Sequence, residues 1–277
     1  MIADLVMWGK NGAKTLPQVL RRIDEVIPQE FVKNKIFVDD HSSDETVKIA
    51  KSFNWKVYEN PLWGIAAGAN EALRHVESPF FISIEQDLLL AKNWFDIIPK
   101  YMDDPKVVVA QGIRKFTNKV LRILDEYSIQ SRLLSKAYYC IDNNIFRTRF
   151  FREIEGFPAQ DKIGVDVALF NIVQKSKYKW VVDENVISDH IRDSIIQHIR
   201  HRYRTVMLSE TVRRNARQAG LMKHVRLFAT SPLRAFQLTV RKRCPQVFFV
   251  YPILRLAMLK EYAYSKKMET IDEIELS

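Results

Sequence analysis

The sequence predicts an α/β fold in which a mixed, mainly parallel sheet is flanked by helices and followed by a basic helical extension. Short apolar runs alternate with helical patterns through about the first ninety residues, and such crossovers imply parallel strands. Acidic residues follow two of these runs directly, at the carboxyl ends where open α/β sheets bind ligands. The net charge of +10 is carried by the last third of the chain, where the alternation stops.

The first strands and helices follow from the spacing of apolar residues. A short apolar run indicates a buried strand, whereas apolar residues three and four positions apart indicate a helix. We expect strands at 3–8, 36–38, 55–58 and 80–84, and helices at 16–26 and 66–76. After the second strand, Ser42 or Ser43 is expected to cap a further helix, which Asp44 and Glu45 favour through the helix dipole.

The middle of the chain contains fewer clear patterns. We predict a strand at 107–110 that Gly112 breaks, and a helix at 121–139. A second helix is expected to begin at Asp166, and a strand is expected at 179–187.

Two acidic clusters stand at the ends of predicted strands. Asp39 and Asp40 follow the second strand, and Glu85 and Asp87 follow the fourth. Hard oxygen ligands suit Mg²⁺ or Mn²⁺, and these ions bind the phosphates of substrates. If the strands are parallel, both clusters face one crevice, which would take a ligand with a base or sugar and a metal-bridged diphosphate. The alternative is that the acids only cap helices and solvate loops.

The cysteines and the first residues bear on the compartment. Cys140 and Cys244 have no short metal-like spacing and provide no disulfide framework, which fits a reducing compartment. The opening MIADLVMWGKNG lacks a basic leader and a long apolar region. We therefore expect a cytoplasmic protein.

Positive charge is concentrated after residue 190. Residues 1–190 hold 26 Lys and Arg against 26 Asp and Glu, whereas residues 191–277 hold 17 against 7. This asymmetry predicts two functional parts: a body at 1–190 and a basic amphipathic helical region at 191–277 that meets something anionic.

The basic region shows helical amphipathicity. Arginines surround an apolar stripe, which predicts a helix with a cationic rim. The stripe comprises Ile195, Ile196, Ile199, Tyr203, Val206, Met207 and Val212. Residues 244–259 are more apolar still, but Arg255 leaves them short of the roughly 20 residues that a spanning helix needs. Such helices fit an anionic membrane surface. The alternative is packing on the body or on a second subunit of a homo-oligomer.

Six motifs, in this order and spacing, resemble those of the family 2 glycosyltransferases, which are inverting enzymes of the GT-A fold. The motifs are VDDHSSDET from Val38, GIAAGAN from Gly64, EQD from Glu85, EGFP from Glu155, VD at 165–166 and SDH ending at His190. The resemblance implies a GT-A, Rossmann-like catalytic domain at 1–190.

The resemblance also implies roles for single residues. The expected site residues are Trp8, Asp39, Asp40, Asn70 and Gln86 for a UDP- or GDP-linked sugar donor; Glu85, Asp87 and His190 for Mg²⁺ or Mn²⁺; Asn143 and Asn144 for the acceptor; and Asp166 as general base. The metal would stabilise charge on the departing nucleoside diphosphate, and the base would take the proton of an acceptor hydroxyl. Without the resemblance, a carboxylate in a first helical turn would more simply serve the helix dipole.

Three residues depart from the family pattern. Ala69 stands where an arginine is frequent, Glu85 stands where an aspartate is usual, and Val165 replaces the first acid of an ED pair. We nevertheless expect a metal-dependent inverting transferase that moves a hexosyl residue to a glycan or lipid-linked acceptor on the cytoplasmic face of a membrane.

Two other functions stay open, namely a catalytically degenerate nucleotide-binding protein and a nucleic-acid-binding protein that acts through the basic region. The basic region has no zinc-finger spacing or RNA-motif signature, so we expect no nucleic acid partner. A dinucleotide oxidoreductase is not favoured, because no GxGxxG follows the first strand.

Overall fold

A computed structural model of the chain describes residues 1–130, 139–159, 164–191, 194–200 and 210–275. The chain divides into two compact units. The first contains Met1–Phe116 and Ala137–Ile191, and the second contains Thr117–Lys136 and Arg192–Ser277.

The first unit is built around one sheet. Its described strands are β1 (Ala3–Gly9), β2 (Val32–Asp39), β3 (Lys56–Glu59), β4 (Phe80–Ser83), β5 (Leu88–Leu89), β6 (Val107–Phe116), β7 (Asn144–Arg147) and β8 (Lys179–His190). Their order across the sheet is β3-β2-β1-β4-β7-β6-β8-β5. Strand β7 is antiparallel to both its neighbours, and β5 is antiparallel to β8, whereas the other pairs are parallel. The predicted mixed, mainly parallel sheet is therefore confirmed.

Helices flank this sheet and make up the second unit. In chain order they are α1 (Leu16–Val26), α2 (Thr46–Ser52), α3 (Ile65–Arg74), α4 (Trp94–Ile97), α5 (Lys119–Gln130), α6 (Thr148–Glu153), α7 (Val165–Lys175), α8 (Glu210–Ala219), α9 (Leu221–Ala229), α10 (Ser231–Lys242) and α11 (Gln246–Glu275). Residues 195–200 are also helical.

Both faces of the sheet are covered because successive side chains of a strand point to opposite faces. In β1, Leu5 and Met7 pack in a core cluster that includes the apolar side of α1. Val6 packs in a second cluster with Ala69 of α3 and Leu169 of α7. The core of the first unit therefore lies on both sides of β1 and holds the strand ends in place.

The prediction that Gly112 ends a strand is wrong. Strand β6 continues through Gly112 to Phe116, and its pairing with β8 shifts register between Gly112 and Ile113. A Cβ atom at position 112 would lie 2.7 Å from the main-chain oxygen of Val186. Glycine is needed here because the two strands approach closely at a bulge, a feature common near active sites.

The expected serine cap of α2 is not formed. Helix α2 begins at Thr46, whose N–H donates to Asp44 Oδ1 at 3.0 Å. Ser42 Oγ accepts from the N–H of Asn11 at 2.9 Å, and the N–H of Ser43 donates to Asn11 Oδ1 at 2.8 Å. The two serines therefore join the loop after β2 to the loop after β1.

The second unit has a small apolar core of its own. It comprises Val120, Ile123, Leu124, Ala235, Leu238, Cys244, Val247 and Tyr251. Three residues of the predicted apolar stripe, Tyr203, Val206 and Met207, lie outside the described residues, as does the end of the helix predicted at 121–139. Within the described part of the chain, no helix combines the length and the apolar character needed to cross a membrane.

Candidate active site

The carboxyl ends of three strands carry the acidic and histidine residues that the sequence singled out. Asp39 is the last residue of β2, and Glu85 and Asp87 follow β4. Both strands pair in parallel with β1, so their carboxyl ends lie at the same edge of the sheet. His190 is the last residue of β8 and pairs with Leu88 of β5.

Glu85, Asp87 and His190 form a compact cluster. One ligand atom of each lies within 4.8 Å of the other two. His190 Nε2 is 3.2 Å from Asp87 Oδ1 and 3.6 Å from Glu85 Oε2. The main chain fixes this geometry, because the N–H of Ile191 donates to Asp87 O at 2.9 Å. Two carboxylates and an imidazole suit Mn²⁺ or Mg²⁺ chemically, so these residues fit a divalent cation.

An arginine that the sequence analysis did not select adjoins this cluster. Arg114 Nη1 donates to Glu85 Oε2 at 2.9 Å and to Asp142 Oδ2 at 2.7 Å. Burial alone would lower the pKa of Arg114, but the charges of Asp142 and Glu85 outweigh it and hold the pKa well above its usual value. The available sequence signal for Arg114 was that a charged residue directly follows the apolar run at 107–113.

Asp166 lies in the first turn of α7. Its Oδ1 accepts from the N–H of Val167 at 3.0 Å. Burial raises the pKa of the Asp166 carboxyl, and the opposing effects of this N–H and of the Arg114 charge do not cancel it. A raised pKa favours proton uptake by a carboxylate. The preceding Val165 is buried in the core, which explains an apolar residue there.

Asp39 retains an unused acceptor. The side chain is 8% exposed, and its Oδ2 accepts from the N–H of Ser42 at 2.9 Å. Its Oδ1 is buried and has no hydrogen-bond partner among the residues that the structure describes. Since an unpaired buried carboxylate oxygen is costly, Asp39 is suited to a ligand that brings an N–H or O–H donor.

Two residues expected at the nucleotide instead hold loops. Asp40 Oδ1 accepts from Asn60 Nδ2 at 2.7 Å and from the N–H of Gly64 at 3.0 Å. Asn70 Nδ2 donates to Phe157 O at 2.9 Å, and its Oδ1 accepts from the N–H of Phe157 at 2.7 Å. Both side chains therefore hold neighbouring loops, through main-chain groups and, for Asp40, also through the side chain of Asn60.

Trp8 and Gln86 pack against neighbouring loops. The Trp8 ring meets Phe157 edge to face, with ring centres 6.0 Å apart. Gln86 Nε2 donates to Lys10 O at 2.9 Å, which joins the loop after β4 to the loop after β1. Trp8 is half-buried, and neither contact excludes a ligand.

The expected acceptor residues have no exposed surface. Asn143 and Asn144 are both 0% exposed. Asn143 Nδ2 donates to Ile113 O at 3.2 Å, and its Oδ1 accepts from Ser188 Oγ at 2.9 Å. Asn144 Nδ2 donates to Cys140 O. Asn143 therefore joins β6 to β8, Asn144 holds the segment before β7, and neither side chain is exposed to a ligand.

Comparison with known proteins shows the family and the fold of the chain. Residues 6–179, more than half of the chain, match the family described as glycosyl transferase family 2. No curated protein sequence matches the chain.

Three solved structures share the fold. The mannosyltransferase PcManGT from Pyrobaculum calidifontis in complex with GDP-Man and Mn²⁺ is 15% identical, with a TM-score of 0.58 over 97% of this chain and 75% of that one. S. aureus TarS 1–349 in complex with UDP-GlcNAc is 15% identical, with a TM-score of 0.53 over 98% and 92%. GalNAc-T7 with UDP, GalNAc and Mn²⁺ is 12% identical, with a TM-score of 0.55 over 70% and 43%. At these identities the likeness shows the fold alone, whereas the family match extends to the sequence. The chain is a glycosyltransferase and belongs to glycosyl transferase family 2.

Proposed function

We propose that this glycosyltransferase is metal-dependent and inverting, and that it moves a hexosyl residue from a nucleotide-sugar to an acceptor hydroxyl. The cluster of Glu85, Asp87 and His190 carries the proposal, because one ligand atom of each residue lies within 4.8 Å of the other two. When bound there, Mn²⁺ or Mg²⁺ would neutralise negative charge on the diphosphate of the donor.

The donor is held on the β2 side of the crevice in this proposal. The buried Oδ1 of Asp39 would accept a hydrogen bond from the base or ribose. The structurally similar proteins PcManGT and TarS are described with GDP-Man and UDP-GlcNAc. A guanine or uracil nucleotide is therefore the donor class to test first.

Asp166 acts as the general base. Its carboxylate takes the proton of the acceptor hydroxyl while that oxygen forms a bond to the anomeric carbon. The bond from the anomeric carbon to the donor phosphate breaks, and its electron pair leaves with the nucleoside diphosphate. A single displacement of this kind inverts the anomeric configuration. The raised pKa of Asp166 makes it a stronger base than an ordinary aspartate.

Calorimetric titration tests the donor site. UDP and GDP are each added to the protein with Mn²⁺ and then with EDTA. We expect one nucleotide to bind only with the metal, and we expect His190→Ala to weaken that binding, whereas His198→Ala, outside the cluster, should not. Binding that is unchanged in EDTA would remove the metal from the proposal.

The base is tested separately. Asp166→Asn is expected to abolish transfer and to leave donor affinity unchanged. The matched control is Asp96→Asn, because Asp96 also lies in the first turn of a helix, α4, and is not among the proposed site residues. Near-normal turnover by Asp166→Asn would show that another group accepts the proton.

The second part of the proposal is that the protein attaches peripherally to an anionic membrane on the cytoplasmic side. The acceptor would then be a lipid-linked or cell-surface glycan. Residues 211–260 contain eleven Lys and Arg and no Asp or Glu. Two helices in this stretch expose apolar side chains on the side away from their buried residues. The exposed residues are Leu233, Phe236 and Val240 in α10, and Phe249, Ile253 and Leu256 in α11.

This combination favours a lipid surface over the other partners. An anionic bilayer offers both negative charge and an apolar layer. A second copy of the chain would place the same excess of positive charge opposite the first, which opposes self-association through this surface. Nucleic acid would meet the charge but would leave the apolar side chains in water.

Flotation with liposomes tests the attachment. We expect binding to vesicles with anionic phospholipid and little binding to vesicles of phosphatidylcholine alone. Phe236→Ser with Phe249→Ser should reduce binding, while Ile2→Ser with Leu62→Ser, an equally exposed pair in the first unit, should not. Equal flotation of the wild type and the two double variants would contradict attachment through α10 and α11.

A further inference from the structure

Arg114 has hydrogen-bonding capacity that its own ion pairs do not use. Both of its hydrogen bonds, to Glu85 Oε2 and Asp142 Oδ2, are made by Nη1. Within the described residues, Nε and Nη2 have no hydrogen-bond partner, and the side chain is 36% exposed. An arginine carries five N–H donors in a planar fork, so several remain available to a ligand.

The position of the Arg114 guanidinium is tightly determined. Asp142, one of its partners, is 2% exposed, so this end of the ion pair is buried. The other partner, Glu85, belongs to the candidate metal cluster. The register shift at Gly112 lies two residues before Arg114, and a bulge of this kind re-aims the side chains that follow it. Arg114 is therefore directed to the metal cluster by the sheet itself.

The negative charge around the cluster explains why binding a diphosphate there needs a second cation besides the metal ion. Arg114 interacts electrostatically with Glu85, Asp87 and Asp142, and its charge also reaches Asp166. Four carboxylates would repel a diphosphate, and one divalent ion offsets only half of their charge. Position 69, where a second cation could have stood, is a fully buried alanine in the apolar core. Arg114 is the cation that the described structure places at the cluster.

We propose that Arg114 binds the diphosphate of the donor through Nε and Nη2, and that it remains paired with Glu85 and Asp142 as it does so. This inference rests on the proposed nucleotide-sugar donor. A guanidinium matches the paired oxygens of a phosphate, and charge-assisted bonds of this type are the strong ones. In the reaction, Arg114 would stabilise the negative charge that develops as the nucleoside diphosphate departs.

Nucleotides that differ in phosphate number test the assignment. Calorimetry with Mn²⁺ compares UDP with UMP, or GDP with GMP, for the wild type and for Arg114→Lys and Arg114→Gln. We expect Arg114→Gln to weaken diphosphate binding about 10- to 100-fold and monophosphate binding much less, because charge-assisted bonds of roughly this strength are lost. Arg114→Lys should fall between, since it keeps the charge and loses the fork.

Controls separate this role from structural support. Arg149→Gln removes another arginine that is paired with a carboxylate, Glu153, and it should leave nucleotide binding unchanged. Because Arg114→Gln leaves Asp142 buried without its cation, the double variant Arg114→Gln with Asp142→Asn is measured as well. The same selective loss of diphosphate binding in the double variant supports the proposal.

Two patterns of lost binding would overturn the assignment. One is an equal loss of monophosphate and diphosphate binding, and the other is a matching loss of affinity for Mn²⁺ alone, because either would show that Arg114 only maintains the cluster. If the wild type itself binds no nucleotide with Mn²⁺, the proposed donor site fails. If the wild type and Arg114→Gln bind UDP or GDP equally, the donor site stands and only the role of Arg114 fails.

Discussion

Replacing Asn70 separates a structural role from a ligand-binding one. The side chain makes two hydrogen bonds to the main chain of Phe157, at 2.7 and 2.9 Å. Each bond contributes about 1 kcal/mol net, and a desolvated main-chain group left without a partner costs roughly 1 to 3 kcal/mol. Phe157 is 3% exposed, so water reaches its main chain poorly. We therefore expect Asn70→Ala to lower the free energy of unfolding by about 2 to 4 kcal/mol.

Urea denaturation measures this change. Asn70→Asp keeps the acceptor and loses the donor, so the free energy of unfolding should fall less than in Asn70→Ala. The matched control is Asn185→Ala, because Asn185 is exposed and its side chain makes no hydrogen bond within the described chain. The folded fraction of Asn70→Ala should still bind nucleotide with near-normal affinity. Unchanged stability together with lost nucleotide binding would refute the loop-holding role and restore the direct contact that the sequence suggested.

The other predictions concern Asp166, Gly112 and Gly156. Because burial raises the pKa of Asp166, the folded state binds this proton more tightly than the unfolded state does, and stability falls as pH rises through the interval between the two pKa values. Asp166→Asn should therefore raise the Tm at neutral pH, and the gain should vanish in acid, below the unfolded pKa; a pH-independent difference would contradict this. Gly112→Ala should lower the free energy of unfolding in urea by about 1 to 3 kcal/mol, since its Cβ would lie 2.7 Å from Val186 O. The same change should weaken Mn²⁺ binding, because it would shift β8 and with it His190. Gly156→Ala should also destabilise, because Gly156 has φ of 103° and its Cβ would lie 2.5 Å from Asn70 Oδ1; a Tm within a degree of the wild type would speak against this.

The regular half of the fold could be predicted because its signals are local. Strands β1 and β4 and the second half of β2 are apolar runs, and α1 has its apolar residues at helical spacing with bounds of 16–26 as expected. Strand β7 was not predicted, since Asn144–Arg147 is four residues long and pairs only with strands distant in the chain. Gly112 was misjudged for a similar reason, because its need for glycine comes from the approach of Val186.

The chemistry of the site was predicted in part. Acids at the ends of predicted strands singled out Asp39, Glu85 and Asp87 as candidates, because parallel strands bring their carboxyl ends to one edge. Arg114 and Asp142 were missed because the two carboxylates bonded to Arg114 lie 29 and 28 positions away in the chain. Partner choice across such distances depends on strand order and register, which no local pattern contains.

The sequence by itself determined the α/β class, the family motifs and the separation of charge between the two parts of the chain, because these depend on residue type and on spacing over a few positions. The tertiary structure decided which motif residues keep an unpaired polar atom and which hold loops. Asp39 keeps an unpaired oxygen, whereas Asp40 and Asn70 form hydrogen bonds to main-chain and side-chain groups of neighbouring loops. These residue types are chemically alike, so only the identity of the atoms around them, which packing sets, could distinguish the two roles.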